Sequence, residues 1–268
     1  MSSIRGKIRP PVKWHGGKHY LAGPIVRALP EHNTYVEPFG GAASVLLNKP
    51  ISQVEVYNDL NESLTRLFTV IRDHGDELHR RLSLSPYSEV EFELCQEPSD
   101  DVIEQARRDF VRLRQSIGGR GDAFSATLHR VRRGMADVVS GYLSAIDEQL
   151  PLIVERLRRV QILCQPALKV ITRWDSEDTT FYCDPPYAPD TRTAPKVYDC
   201  EMTIADHEQL LQALNKVAGN VVLSGYKNEL YSDHLKGWKT VEIDIANHSA
   251  SGKSKERRVE VLWIKERQ

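Results

Sequence analysis

Thr34-Tyr35-Val36-Glu37-Pro38-Phe39-Gly40-Gly41 is the stretch that decides the fold class. A short run of β-formers stops at a proline, two glycines turn the chain, and residues 42–48 begin a helix. The pattern then repeats. Val54-Glu55-Val56-Tyr57 ends in Asn58-Asp59, and Leu60, Leu64, Leu67, Phe68 and Ile71 fall on one helical face. Residues 34–73 therefore read β-α-β-α, the opening of a doubly wound, mostly parallel α/β sheet.

Downstream the pattern changes. Residues 75–160 hold no convincing strand. A basic helix is expected over 103–117, a break at Ile117-Gly118-Gly119-Arg120-Gly121-Asp122, and a second helix over 135–160, kinked at Pro151. Strand signals resume at Val160–Leu163, Thr179–Cys183, 220–224, 238–245 and 258–264. Thr203 and Asp206 have the spacing of a capping box at a helix start. The expected organisation is one sheet domain made of 1–74 and 160–268, interrupted by a helical insert at 75–159. Residues 246–257, with three Lys/Arg plus Ser and Gly, read as a loop.

Composition bounds the function. The chain has 268 residues, 40% hydrophobic and 27% charged, enough to bury a core without disulfide or metal staples. No apolar run reaches the ~18 residues of a membrane span, and the basic start has no apolar segment of the secretory kind. Cys95, Cys164, Cys183 and Cys200 form no C-x-x-C pair, so no metal site is expected and the thiols fit a reducing cytoplasm. The net charge of -1 hides a local excess: residues 107–133 carry eight Arg against two Asp. Arginine without lysine suits bidentate contacts to phosphate or guanine.

The sharpest chemical signal is Asp184-Pro185-Pro186-Tyr187, directly after the strand 179–183. At about 5% usage per residue type, a given tetrapeptide falls at about one position in 10⁵, so chance does not account for it. In an open α/β sheet ligands bind at the carboxyl ends of strands. The prolines stiffen the turn, remove two N–H donors and leave carbonyls to accept. A carboxylate and a carbonyl can each accept one N–H of an exocyclic nucleobase amine, stabilising positive charge as its nitrogen attacks an electrophile. Tyr187 can stack on the base with its ring; on this reading the hydroxyl is dispensable. The bland alternative is a stiff turn with a capping Asp and a core Tyr.

Weaker signals surround it. Glu37, Pro38, Phe39 and Gly40 form a strand-to-helix turn that lets a ligand near the backbone, although it lacks the GxGxxG spacing. Asp59, 19 positions after Gly40, either holds ribose hydroxyls or caps the following helix. In Lys13-Trp14-His15-Gly16-Gly17-Lys18, Trp14 can pack on a cofactor and Lys18 can pair a carboxylate; a core Trp in a loop is the alternative.

These motifs, in this order, with Tyr57-Asn58-Asp59, Tyr182-Cys183-Asp184-Pro185-Pro186-Tyr187 and Glu260-Val-Leu-Trp263, resemble the Dam-type DNA adenine-N6 methyltransferases, particularly prophage-like members, over about 12–265. The resemblance implies a Rossmann-like methyltransferase fold, S-adenosylmethionine as methyl donor, and double-stranded DNA as partner in a bacterial cytoplasm, with no membrane and no obligate protein partner. It implies that Trp14, Lys18, Glu37, Pro38, Phe39, Gly40 and Asp59 serve the cofactor, that Asp184 touches both cofactor and target, and that Asp184, Pro185, Pro186 and Tyr187 are the catalytic set. It further implies that the 75–159 insert recognises DNA. Arg112, Arg114, Arg120 and Arg130 are the candidates there, and Lys253 and Arg257 are candidate phosphate clamps. Two departures stand out. Relatives carry an acidic residue about 18 positions before the catalytic Asp; here Cys164-Gln165-Pro166 occupies that place, and Gln165 offers a side-chain oxygen instead. Residues 112–120 also depart from the asparagine-containing pattern of GATC-recognising members. Cytosine-N4 methylation, where serine commonly opens the tetrapeptide, and a catalytically silent DNA-binding protein are the rival readings.

Overall fold

The computed structural model describes residues 8–14, 16–188, 201–246 and 257–267. In chain order its first elements are α1 (Ala22–Ala28), β1 (Thr34–Glu37), α2 (Ser44–Asn48), β2 (Val54–Asn58), α3 (Glu62–Asp73), α4 (Gly75–Ser83), α5 (Glu89–Leu94), α6 (Val102–Gln115), β3 (Val131–Arg132), β4 (Met135–Ala136) and α7 (Asp137–Ser144). Then come α8 (Leu150–Leu157), β5 (Val160–Leu163), α9 (Ala167–Trp174), β6 (Thr179–Cys183), α10 (Ile204–Lys216), β7 (Asn220–Gly225), α11 (Glu229–His234), β8 (Lys239–Ala246) and β9 (Arg257–Lys265). No helix among the described residues is long and apolar enough to cross a membrane.

The chain divides into two compact units. One comprises Gly23–Gly40, Ile51–Leu60 and Gln165–Gln268, and it holds the sheet strands in the order β2-β1-β6-β7-β9-β8. The first four are parallel, while β9 runs antiparallel to both β7 and β8. β1, β6 and β7 read near-continuously buried, as expected of a parallel sheet covered on both faces. The chain leaves β1 for β2 on one side and reaches β6 on the other, so the topological switch point lies between β1 and β6. Residues at that crevice are the ones a doubly wound sheet offers to ligands. Thr203 and Asp206 form the expected capping box at the start of α10.

The other unit comprises Met1–Ala22, Gly41–Pro50 and Asn61–Cys164. It is mostly helical and starts earlier than the 75–159 insert read from the sequence, because α3 belongs to it. Leu64, Leu67, Phe68 and Ile71 on α3 are buried, as are Phe110 and Val111 on α6 and Ile153 on α8. Asp109 of α6, 2% exposed, ties α6 to α3: Arg66 donates to its Oδ2 from Nη2 at 2.7 Å and from Nε at 3.1 Å. Leu60, placed on the apolar face by its spacing, is instead half exposed, because α3 starts two residues after it.

Two local expectations over 75–160 need correction. Residues 131–136 form a small antiparallel hairpin, Val131 pairing with Ala136 and Arg132 with Met135. Arg133 and Gly134 turn it with φ of 54° and 76°, the left-handed pair that suits a two-residue hairpin loop. The helix expected over 135–160 is divided just before Pro151. A π-turn over Ala145–Gln149 separates α7 from α8, and Pro151 sits in the first turn of α8, where its missing N–H costs nothing.

Candidate active site

Four loops of the sheet unit share one edge. The register pairs Glu37 with Tyr57, Val36 with Phe181, and Cys183 with Leu223, so the carboxyl ends of β2, β1, β6 and β7 stand side by side. Asn58-Asp59, Pro38-Phe39-Gly40, Asp184-Pro185-Pro186-Tyr187 and Tyr226 follow those ends. The two strongest sequence motifs therefore flank the switch point.

Asn58 holds one half of this edge together. Its side chain is buried; Nδ2 donates to the Pro38 carbonyl at 2.8 Å and to the Gln165 carbonyl at 2.9 Å, while Oδ1 accepts from the Gln165 N–H at 2.9 Å. The Gly40 N–H donates to the Asn58 carbonyl at 2.8 Å. Sequence reasoning passed over Asn58, since nothing in its neighbourhood signals a partner 107 residues away. Gly40 is required for a reason other than ligand approach: a Cβ there would lie 2.2 Å from Cε2 of the buried Tyr57 ring. Glu37 is 1% exposed and accepts the Tyr35 hydroxyl at 2.6 Å. Burial, and then the Glu37 charge, push the Tyr35 hydroxyl pKa well up. The helix cap of α3 is Asn61, whose side chain accepts from the Leu64 N–H, so the capping alternative for Asp59 falls away.

The other half centres on the tetrapeptide. Ser224 Oγ donates to Asp184 Oδ1 at 2.8 Å. Tyr187 donates its hydroxyl to Glu260, whose two carboxylate oxygens lie at 2.9 and 3.0 Å. Glu260 is 1% exposed on β9. Tyr226 packs on the Tyr187 ring, centroids 4.6 Å apart and tilted by 44°. The Tyr187 hydroxyl thus has a structural partner that the sequence reading did not give it, and removing it takes a donor from a buried carboxylate. Ser224, Glu260 and Tyr226 were not read as site residues. They become neighbours of the tetrapeptide only through strand pairing.

Cys183, directly before Asp184, is fully buried, and burial, then the Asp184 charge, push its thiol pKa upward. Burial pushes Cys95 up to about 12. Neither is poised as a nucleophile. A brief iodoacetamide pulse on the folded protein is expected to label the exposed Cys164 and to spare Cys95 and Cys183 until the chain is denatured. Peptide mapping that finds native Cys183 labelled as fast as Cys164 would contradict this. Among the described residues no cluster of His, Cys, Asp or Glu could hold a metal ion.

Apart from Lys253 and Arg257, the remaining candidates lie in the helical unit. Trp14 sits beside Gly41, and Lys18, 6% exposed, donates from Nζ to the Gly16 carbonyl at 3.2 Å. Gly119, at φ +75°, passes so close to Lys13 that a Cβ would meet its carbonyl oxygen at 2.4 Å. Arg114 donates to the carbonyls of Pro11 at 2.6 Å and Pro10 at 3.0 Å, so the structure withdraws it from the DNA set. Burial, then the charge of Arg9, lower its pKa to about 10. Arg112 lies 3.7 Å from Asp109. Arg107 and Arg108 are paired with Glu104, Arg107 also with Glu91, and Arg133 with Glu148. Among the described residues, Arg120, Arg130 and Arg132 are exposed and enter no ion pair. Lys253 lies outside the described residues, and of Arg257 only its place at the start of β9 is described.

A family model described as D12 class N6 adenine-specific DNA methyltransferase matches residues 14–247. The chain belongs to that family. Its relatives include the DNA adenine methylase of Serratia marcescens, 26% identical over 240 residues, covering 85% of this chain and 87% of the relative. Those of Salmonella typhi, 30% identical over 202 residues, and of Escherichia coli K12, 29% identical over 201, each cover 70% of this chain, and this chain covers 68% of each. The methyltransferase acts on adenine N6 in DNA, with S-adenosylmethionine as methyl donor. Family membership decides against the cytosine-N4 and silent-binder readings. The sheet unit offers a group that fits the donor: Gln165 Oε1, beside the Asn58 knot, is buried with no hydrogen-bond partner among the described residues, an acceptor suited to an adenine amine.

Proposed function

We propose that the edge between β1 and β6 is the active site, and that the adenine of duplex DNA is turned out of the stack to reach it. The observation that carries this reading is the Asp184-Pro185-Pro186-Tyr187 turn, standing at the switch point with its carboxylate held by Ser224. Flipping costs a few kcal/mol, which contacts to the displaced base and to the phosphates offset. When bound, the cofactor supplies an electrophilic methyl carbon on a sulfonium. The Asp184 carboxylate and the Pro185 carbonyl accept the two amine hydrogens and draw the nitrogen lone pair out of conjugation. The N6 lone pair so freed would take up the donated methyl group, and one amine proton would leave by way of the Asp184 carboxylate to water. Tyr187 stacks on the base with the ring face that Tyr226 leaves. Asp59 and Gln165 hold the donor's ribose and adenine, with Glu37, Pro38 and Phe39 of the same unit beside them.

The helical block at 75–159 is the target-recognition element on this reading, and its hairpin is the part that meets DNA. Arg130 and Arg132 flank Val131 there, which is 72% exposed, and Leu128 is 89% exposed. Guanidinium groups beside apolar side chains suit phosphate or guanine contacts next to thymine methyls. Replacing Arg120, Arg130 and Arg132 together by alanine should weaken plasmid binding and flatten its salt dependence, by about 0.9 in log–log slope for each phosphate no longer neutralised. Arg114→Ala is the contrast: it should lower the unfolding temperature and leave the salt slope alone. A triple variant with unchanged affinity and slope would remove this block from the DNA interface.

A further inference from the structure

A carboxylate that accepts a hydrogen from a target amine must present one of its oxygens in a fixed plane. Asp184 stands at the end of β6, where a side chain can rotate about two bonds. Ser224, on the neighbouring strand β7 and fully buried, faces it. Its single hydroxyl proton has two acceptors within reach, Asp184 Oδ1 at 2.8 Å and the Cys183 carbonyl at 3.5 Å. The shorter contact, to an ionised group, is the stronger. Tyr182, 3% exposed, brings its hydroxyl to 3.3 Å from Ser224 Oγ. With the Ser224 proton given to Asp184, the Tyr182 hydroxyl is the donor in that contact. The result is a directed chain from Tyr182 to Ser224 to Asp184, two of its members shut away from water. An ionised carboxylate has about four acceptor sites, and the serine donor takes one of them.

We infer that Ser224 is a positioning residue of the methyl-transfer step, with Tyr182 as its outer support: it locks the Asp184 carboxylate in the orientation that meets the target amine. This rests on the reading of Asp184 as the catalytic carboxylate. Misplacing a reacting group by about 1 Å can cost 10²-fold in rate, whereas Ser224 itself is assigned no contact to cofactor or DNA.

The test is single-turnover methylation of unmethylated plasmid DNA at saturating cofactor, with cofactor and DNA dissociation constants measured separately. Ser224→Ala should slow transfer by about 10- to 100-fold and leave both constants and the unfolding temperature near wild type. Ser224→Cys has nearly the same size but is a weak donor, so it should be slow as well. Tyr182→Phe should give a smaller loss. On an Asp184→Ala background, Ser224→Ala should add nothing, since the two act as one unit. Wild-type rates in both Ser224 variants, with Asp184→Ala crippled, would overturn the positioning role alone. An Asp184→Ala enzyme as fast as wild type would instead remove the reading on which the inference stands. Equal losses in rate and in cofactor affinity for Ser224→Ala would overturn it as well, marking Ser224 as a fold residue.

Discussion

Replacing Asp184 by alanine is expected to slow methyl transfer by about 10²–10³-fold, the usual cost of deleting one preorganised partner of developing charge. The exocyclic amine is a poor nucleophile, and the Asp184 carboxylate, at the head of the tetrapeptide, is the group placed to stabilise the positive charge growing on nitrogen. The loss should fall on the transfer step. After the change to alanine the Ser224 hydroxyl can turn to the Cys183 carbonyl, so the unfolding temperature should barely move. Cofactor affinity should change much less than rate. Asp184→Asn keeps the shape and one acceptor but not the charge, and should fall between. Rapid-quench kinetics with labelled methyl donor check both variants, and a near wild-type rate for Asp184→Ala would take this residue out of the chemistry.

Gly40→Ala should be the most damaging change on the cofactor side. The new methyl would sit 2.2 Å from the Tyr57 ring, and Tyr57 is fully buried and cannot swing aside. Either the ring or the 38–40 turn must move, and the turn is pinned through the Gly40 N–H and the Pro38 carbonyl to Asn58. Overpacking of this kind costs about 1–3 kcal/mol, or roughly 2–4 °C in unfolding temperature per kcal/mol for a chain near this size. Cofactor titration should show a weaker dissociation constant, since the displaced turn, Asn58 and Gln165 move as one. Tyr57→Leu, which trims the colliding ring edge, should recover part of the loss in the double variant. An alanine variant with unchanged stability and cofactor affinity would refute the assignment.

Much of the sheet was legible because its strands announce themselves locally. Thr34–Glu37, Val160–Leu163 and Thr179–Cys183 match their sequence reading to the residue, each a run of β-formers beside a helix-breaking signal. The tetrapeptide and the Gly40 turn were equally visible. What escaped was non-local. Asn58, Ser224 and Glu260 acquire meaning only when the strands are laid side by side. The hairpin at 131–136 has strands of two residues each, too short to show a period. The arginine count failed differently: within 107–133 eight arginines face two aspartates, but Glu91, Glu104 and Glu148, outside that window, neutralise several of them. A window of sequence counts charges, whereas DNA meets only those left without a partner.

The bond between Tyr187 and Glu260 has a consequence for anyone who would retarget this enzyme by directed evolution. The two residues lie 73 positions apart, and the second is carried by an antiparallel strand that the tetrapeptide motif does not include. A library that randomises residue 187 alone takes from a buried carboxylate the tyrosine donor it has in this fold. Such a library would be sieved by folding before it was sieved by base preference. The productive unit of variation is the pair, encoded by two distant codons that must change together.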